Sequence, residues 1–391
     1  MEFDLLWLLA LPVFFIFGWV AARIDLNSLL KESRALPKSY FAGLNFLLNE
    51  KPDQAVEALI EASNMDPETV ELRFALGSLF RRRGETDRAI RVHQNLVERD
   101  GLDAEQRLNA LSELGQDYLK AGLLDRAEEI FLKLRETARE EEAKGHLLEI
   151  YQQEKEWAKA IAVAESLPNH ADHVWQVEVA QFHCELAASE ILHDQLTEAE
   201  AHLAAAIEVN RKCVRATILQ GDLASKVGAG ETAIGHWKRV EQINPAYLAL
   251  VARKLLDGYT AMGRSEQALT LLHGFLEQHP SLDLLDAVFQ AELENAGPKP
   301  AYELVRDELR RNPTLLGLDK LLQAQLMDVS PEKREDLVLV KNLIHTHTRR
   351  VARYRCDGCG FKARQFYWRC PGCGGWETYP PRRTEEFDLA P

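Results

Sequence analysis

Alanine recurs along this chain at intervals close to 34 residues, and this period is the feature that most narrows the possible folds. The intervals run from 33 to 39 residues, and the alanines that mark them are Ala55, Ala89, Ala127, Ala160, Ala199, Ala233, Ala268 and Ala301. Twelve positions before several of these alanines lies a small residue, and twelve positions after several of them lies a proline. Ala233 has both, in Gly221 and Pro245. Small residues let two helices approach closely, and proline cannot continue the helix that it ends. The period therefore predicts about eight pairs of amphipathic helices, each joined by a turn.

A helix pair of this length, with small residues at the helix crossing and proline after the second helix, resembles the tetratricopeptide repeat. One pair cannot bury its apolar face alone, whereas stacked pairs bury a continuous core. We therefore expect an all-α tetratricopeptide repeat superhelix over residues 36–313, followed by a capping helix pair at 314–350. The concave face of such a superhelix is the usual docking surface. Four residues at first-helix positions are candidates for binding a partner there: Arg81, Asn109, Gln116 and Asp222.

Four cysteines near the C-terminus have the spacing of a metal site, Cys356-x2-Cys359-x10-Cys370-x2-Cys373. Each Cys-x-x-Cys pair can place two thiolates on one tight turn, and two such turns complete tetrahedral coordination. A glycine follows each pair, and glycine can take a positive φ that turns backbone N–H groups toward the sulfurs. Two disulfides are the alternative. A set of four thiolates leaves no coordination position for water, so the metal is expected to be structural or redox-active rather than hydrolytic.

The two cysteine pairs resemble the knuckles of rubredoxin, although their ten-residue spacer is far shorter than in a free-standing rubredoxin. We expect a rubredoxin-like metal-binding module over residues 351–391, holding one ion. Four thiolates suit both iron and zinc, and the resemblance favours iron. Aromatic side chains are expected to pack beneath the knuckles of so small a domain, and these are Phe361, Phe366, Tyr367, Trp368, Trp376 and Tyr379.

Residues Leu5 to Ala22 form an uninterrupted run of eighteen uncharged residues. As an α-helix this run would span about 27 Å, close to the roughly 30 Å of bilayer hydrocarbon. Acidic residues precede the run, which argues against a cleaved signal peptide, and only the residues after it carry Lys and Arg. The positive-inside rule then places the residues after the run in the cytoplasm, where thiols stay reduced. We expect a single-pass anchor at residues 1–22 and a juxtamembrane linker at 23–35.

The rest of the sequence offers no convincing catalytic set. The segment 228–233 is rich in glycine, but a dinucleotide-binding loop follows a strand, and this segment lies in a turn between helices. His183 and Glu185 have the spacing of a zinc deaminase pair, but the surrounding cysteine pattern is missing. The two remaining cysteines, Cys184 and Cys213, are interpreted as small buried hydrophobes. We therefore expect a protein that is not an enzyme.

The charge of the chain bears on its partners. A formal net charge of −14 disfavours nucleic acid as the main partner. The segment 341–383 is nevertheless basic, with ten Lys or Arg against two acidic residues, and could meet an acidic partner or anionic lipid headgroups. Two alternative functions therefore stay open, an iron protein for electron transfer and a nucleic-acid-binding ribbon carried on a repeat scaffold.

Together, the anchor, the repeats and the four-cysteine knuckle resemble the lipopolysaccharide assembly protein B family of Gram-negative bacteria over the whole chain. The resemblance implies a non-enzymatic adaptor of the inner membrane that restrains lipopolysaccharide synthesis. It implies that the adaptor promotes degradation of the deacetylase LpxC by the membrane protease FtsH, and that it gathers other lipopolysaccharide-synthesis proteins. It also implies a metal-binding role for Cys356, Cys359, Cys370 and Cys373.

Overall fold

The computed structural model describes residues 38–49, 52–65, 69–168 and 175–385, most of them in α-helices. The helices of these residues are α1 (Lys38–Leu48), α2 (Pro52–Met65), α3 (Val70–Arg82), α4 (Thr86–Val97), α5 (Ala104–Lys120), α6 (Leu124–Leu134), α7 (Glu140–Glu154), α8 (Trp157–Ser166), α9 (Gln176–Leu192), α10 (Leu196–Val209), α11 (Val214–Lys226), α12 (Gly230–Ile243), α13 (Leu248–Ala261), α14 (Ser265–Gln278), α15 (Leu282–Asn295), α16 (Pro298–Arg311), α17 (Leu315–Asp328) and α18 (Pro331–Val351). The anchor predicted at residues 1–22 and the linker at 23–35 lie outside the described residues. None of the described helices is both long and apolar enough to span a bilayer.

The helices follow one another in pairs, from α1 with α2 to α17 with α18. Every alanine of the 34-residue period is buried, with at most 1% of its surface exposed. The prolines end second helices as expected: α12 stops at Ile243, before Pro245, and α14 stops at Gln278, before Pro280. The structure thus confirms the all-α repeat fold that the period predicts.

The chain divides into two compact units, and the boundary between them lies between Ile150 and Tyr151, within α7. In the first unit, apolar side chains of α2, α3 and α4 form one buried cluster around Leu59 and Leu72. In the second unit, the largest buried cluster runs from α11 to α17, and a smaller one lies between α9, α10 and α11. Each unit therefore has a core of stacked helix pairs, as stacked repeats require.

Glycine is found where the two helices of a pair cross. An aromatic ring of the second helix occupies the space that a side chain at the glycine position would need. A Cβ atom added at Gly115 would lie 2.8 Å from the ring of Phe131, and one added at Gly221 would overlap the indole of Trp237. Trp237 is buried, and its indole N–H lies 3.2 Å from the Asp222 carboxylate, so the ring cannot easily move away. The small residues predicted at the crossings are thus required by packing.

We expect Gly221→Ala to destabilise the second unit by about 1–3 kcal/mol, because the added methyl group overpacks the helix crossing. This cost should exceed the gain in helix propensity, which is up to about 1 kcal/mol. Gly235→Ala is the matched control, since Gly235 is an exposed glycine of α12 whose added Cβ atom would meet nothing within 4 Å. Urea unfolding should show the control to be at least as stable as the wild type. Equal stability of the two variants would contradict the close packing.

A small domain with three short strands follows the last helix without a linker. Strand β1 (Ala352–Arg355) continues directly from α18 and pairs antiparallel with β2 (Lys362–Ala363) on one side and β3 (Thr384–Glu385) on the other. An isolated antiparallel bridge joins Arg369 to Trp376. This short framework presents two tight turns, and both carry cysteines.

Candidate metal centre

The two turns have the same backbone geometry. Cys356–Cys359 lies on the turn between β1 and β2, and Cys370–Cys373 lies on the turn closed by the bridge. In each turn, the N–H of the glycine after the second cysteine donates to the carbonyl of the first, at 2.9 Å for Gly360 and 2.8 Å for Gly374. The φ angles of these glycines are 74° and 72°, in a region that side chains rarely adopt. The expected positive φ at both positions is confirmed.

The four sulfurs have the arrangement of a tetrahedral metal site. The Sγ atoms of Cys356 and Cys373 lie 3.8 Å apart, and those of Cys359 and Cys370 lie 3.7 Å apart. All four lie within 4.8 Å of one another. A tetrahedron with metal–sulfur bonds of about 2.3 Å has sulfur–sulfur edges of about 3.8 Å. The residues present therefore fit one four-coordinate ion, which would supply a rigid cross-link between the turns.

Hydrogen-bond donors around the Cys356 sulfur favour the thiolate that a metal binds, whereas burial and the neighbouring thiols raise the pKa of Cys359 and Cys370. Burial acts to raise the pKa of the Cys356 thiol, but its hydrogen bond with the Thr378 hydroxyl, 3.4 Å away, and the backbone N–H groups of the turn outweigh this effect. The pKa of Cys356 is consequently lowered to about 6. On the second turn, the Gly372 N–H points at the Cys370 sulfur from 3.4 Å. Both turns thus direct N–H groups at the site, as the sequence predicts.

The ligands themselves form much of the domain's core. Cys356, Cys370 and Tyr379 are fully buried, whereas Cys359 and Cys373 are exposed. Four further aromatic side chains pack around the buried cysteines: Tyr354 and three of the predicted residues, Phe361, Phe366 and Tyr367. The prediction that aromatic residues cover the site is therefore correct for four of the six.

The two tryptophans of the domain pack elsewhere, so the prediction that they lie beneath the knuckles is wrong. Trp376 contacts Trp157 of α8 and Phe182 of α9 edge to face, with ring centroids 6.1 Å and 6.0 Å apart. Trp368 stacks on Tyr247 at 5.4 Å, with the Arg215 guanidinium over its ring. Both rings are bound by the repeats because a domain of this size has too small a core to bury them.

Polar contacts also join the domain to the repeats. The Gln181 amide donates to the Glu377 carboxylate at 2.7 Å. Asp283, at the start of α15, accepts from the Tyr354 hydroxyl at 2.9 Å and from Arg383 Nε at 2.7 Å. The contacts of the domain reach back along the repeats as far as α8. We call this set of contacts, made by α8, α9, α11, Tyr247 and α15, the seat of the metal domain.

Glu377 is a half-buried acid in this seat, and it makes the seat sensitive to pH. Burial raises the pKa of the Glu377 carboxyl, although the hydrogen bond from Gln181 acts in the opposite direction. An acid whose pKa is raised on folding destabilises the folded state as the pH rises from the unfolded pKa through the folded one. Glu377→Gln keeps an oxygen that can accept from Gln181 but carries no charge.

We therefore expect Glu377→Gln to be more stable than the wild type at pH 7.5, with the difference shrinking as the pH falls toward about 4.5. Thermal unfolding of both proteins between pH 5 and 8 measures this difference in stability. Glu208→Gln, an exposed residue of α10 outside the seat, is the control and should show no such growth of the difference with pH. A wild type that is the more stable protein at pH 7.5 would contradict the prediction.

The four predicted partner-binding residues are half-buried and bonded to neighbouring repeats. In the first unit, Arg81 pairs with Glu113 and Asp117 of α5, and the Asn109 amide oxygen accepts from Arg139. The remaining two residues form similar links to the next first helix: Gln116 to Glu142 of α7, and Asp222 to Lys254 of α13. Their role in binding a partner stays a prediction.

The residues of the repeats that form the seat carry no sequence signal of their own. They are single residues on separate repeats: Trp157, Gln181, Phe182, Arg215, Tyr247 and Asp283. One indirect signal exists, namely that six aromatic residues crowd a C-terminal segment too short to bury them all. That excess predicts a surface to receive them but does not say which helices provide it.

The fold and the site define a class, a tetratricopeptide repeat protein with a four-cysteine metal-binding domain. Residues 354–381 match the family model described as rubredoxin metal binding domain, and residues 42–104 match that described as tetratricopeptide repeat. A solved structure of the C-terminal part of a TPR repeat-containing protein from Cytophaga hutchinsonii covers 68% of this chain and 98% of its own, at 11% identity and a TM-score of 0.40.

Two relatives match nearly the whole chain. Lipopolysaccharide assembly protein B of Escherichia coli (strain K12) is 35% identical over 386 residues, which cover 97% of this chain and 98% of the relative. Lipopolysaccharide assembly protein B of Haemophilus influenzae is 30% identical over 398 residues, which cover 98% and 100%. The chain belongs to the lipopolysaccharide assembly protein B family, as the resemblance seen in its sequence predicts.

Proposed function

We propose that this protein is a non-enzymatic adaptor of the bacterial inner membrane that regulates lipopolysaccharide synthesis. The observation that carries the proposal is the match to lipopolysaccharide assembly protein B along 97% of the chain, which includes both the repeats and the cysteine domain. Stacked helix pairs offer an extended surface for binding other proteins. A four-sulfur site has no free coordination position, so its ion would stabilise a protein surface rather than hydrolyse a substrate.

The mechanism that we propose is tethering. An anchor at residues 1–22 would hold the repeats in the cytoplasm, beneath the membrane, with the N-terminus in the periplasm. The repeats would bind the deacetylase LpxC and present it to the membrane protease FtsH, alongside other lipopolysaccharide-synthesis proteins. Confinement replaces a bimolecular encounter by a high effective concentration, which raises the rate of capture without any new contact. Arg81, Asn109, Gln116 and Asp222 remain the candidate contacts for the client.

Deletion of residues 1–22 tests the tethering step. We expect the shortened protein to fold, because the described repeats have cores of their own, but to fail to lower the LpxC level in cells that lack the full-length protein. An unrelated single-pass helix of the same orientation, fused in place of residues 1–22, should restore the effect if tethering alone is needed. Quantitative immunoblotting of LpxC measures both results. A soluble fragment with full activity would refute tethering.

Electron transfer is a second candidate, and one observation favours it. The sulfurs of Cys359 and Cys373 belong to exposed residues, so a bound ion would lie near the surface, where a redox partner can approach. This function requires iron, whereas the adaptor function accepts either iron or zinc. Metal analysis and a redox titration of the purified protein separate the two. A colourless zinc protein that still lowers the LpxC level would exclude electron transfer.

A further inference from the structure

A second pair of cysteines lies inside the repeats, away from the metal centre. The Sγ atoms of Cys184, on α9, and Cys213, directly before α11, are 3.8 Å apart. Both residues are fully buried, in the apolar cluster that joins α9, α10 and α11. A disulfide has a sulfur–sulfur bond of about 2.05 Å, so the two sulfurs need to approach by about 1.8 Å to be joined.

The two sulfurs have different surroundings, and these shift the pKa values of the two thiols in opposite directions. Cys213 is the N-cap residue of α11, where its side chain makes no capping hydrogen bond, but the nearby N–H of Ala216 in the first turn of that helix acts to lower its pKa. The hydrogen bond from the Cys184 thiol, aided by this N–H, lowers the pKa of Cys213 against the effect of burial. Burial raises the pKa of Cys184, with the hydrogen bond to Cys213 acting in the same direction. Cys213 is thus the more acidic thiol of the pair.

We propose that Cys184 and Cys213 form a redox-active pair that a small hydroperoxide converts into an intramolecular disulfide, with Cys213 as the attacking sulfur. The Cys213 thiolate attacks one oxygen of hydrogen peroxide, the O–O bond breaks, and a sulfenic acid and hydroxide form. The Cys184 sulfur then attacks the sulfenic sulfur, the S–O bond breaks, and a disulfide and water form. Two electrons pass from the two sulfurs to the peroxide. Because both cysteines are buried, an oxidant close in size to water suits the site better than a bulky disulfide.

The position of the pair connects it to the seat of the metal domain. The Gln181 amide nitrogen lies 3.6 Å from the Cys213 sulfur and donates to Glu377 of the metal domain at 2.7 Å. A disulfide draws the Cys213 sulfur toward Cys184 and so changes its contact with this amide. The reaction would therefore occur one side chain away from the metal domain, at a place separate from the four metal ligands.

Peptide mapping of the oxidised protein tests the proposal. The full-length, metal-loaded protein is treated with hydrogen peroxide until Met327, a methionine that is 55% exposed, is half converted to its sulfoxide. Remaining thiols are then blocked with iodoacetamide under denaturing conditions, and the protein is digested without reduction. We expect a peptide pair linked through Cys184 and Cys213, at a mass 2 Da below the sum of the free peptides. Alkylated Cys184 and Cys213, with no linked peptide at this dose, would overturn the proposal.

Single variants test which sulfur attacks the peroxide. Cys184→Ser removes the resolving thiol, so we expect oxidised Cys213, 16 or 32 Da heavier, in place of the linked peptide. Cys213→Ser removes the attacking thiolate, so Cys184 should remain a thiol that iodoacetamide alkylates. Circular dichroism checks that both variants keep the helical content of the wild type. Equal oxidation of the remaining cysteine in the two variants would overturn the assignment of Cys213 as the attacking sulfur. The linked peptide is measured on the wild type, so that test holds even if a variant fails to fold.

Discussion

Cys370→Ser should remove the bound metal and unfold residues 352–385 while leaving the repeats helical. A serine hydroxyl is a poor ligand for an ion held by thiolates, and structural metal sites contribute on the order of 10 kcal/mol to the folding of small domains. This domain depends strongly on its ion because two of its three fully buried residues, Cys356 and Cys370, are themselves ligands. Few apolar side chains remain to hold the turns together once the ion has left. Cys356→Ser should act in the same way.

Three measurements on the purified variant check this expectation. The metal content should fall from about one ion per chain to near zero. Limited proteolysis should cut within residues 352–385, and the far-ultraviolet circular dichroism spectrum should change little. Cys184→Ser is the matched control, because it makes the same change at a buried cysteine outside the metal site and should keep the ion. A Cys370→Ser protein that retains its metal and resists proteolysis would show that the four sulfurs do not form the site.

Trp376→Ala should loosen the metal domain from the repeats without removing its ion. Trp376 is 6% exposed, and its ring lies against Trp157 and Phe182, both of which belong to the repeats. Removing a buried aromatic side chain of this size costs about 3–5 kcal/mol. The four ligands lie on local turns and do not depend on this contact, so the metal should stay bound. The variant therefore separates the seating of the domain from its folding.

Amide hydrogen exchange resolved by mass spectrometry measures the loosening. Exchange of slowly exchanging amides in residues 352–385 should accelerate by about a hundredfold to a few thousandfold, the equivalent of the lost 3–5 kcal/mol. The control is Leu192→Ala, which truncates an apolar side chain of the same unit that is 83% exposed and should leave this exchange unchanged. Unchanged exchange in the Trp376 variant would mean that the polar contacts at Asp283 and Gln181 hold the domain by themselves.

Features that repeat or that lie close together in the sequence were predictable. The alanine period predicts the helix pairs, and the glycines and prolines around it predict the crossings and the helix ends. The Cys-x-x-Cys spacing predicts the turns and the positive φ of Gly360 and Gly374. Each of these features depends on contacts within a few residues or within one helix pair. The residue types therefore carry the information directly.

The seat of the metal domain was not predictable, and neither was the environment of the second cysteine pair. Trp376 meets Trp157 across more than 200 residues of sequence, and Gln181 meets Glu377 across 196. Cys184 and Cys213 look like ordinary buried residues in the sequence, although their sulfurs lie 3.8 Å apart in the structure and only Cys213 stands at a helix N-terminus. These relations depend on how separate helices are stacked, which no single segment of the chain encodes.

The sequence by itself determined that this protein is a tetratricopeptide repeat chain with a four-cysteine site, because periodicity and ligand spacing are local properties. Only the tertiary structure decided that the metal domain packs on α8, α9, α11 and α15, which contact Trp376, Trp368 and Glu377. It also placed Cys184 against Cys213, one side chain away from that seat. The physical reason is that a small domain with a metal-dependent core buries its surplus aromatic rings wherever stacked helices present a matching surface.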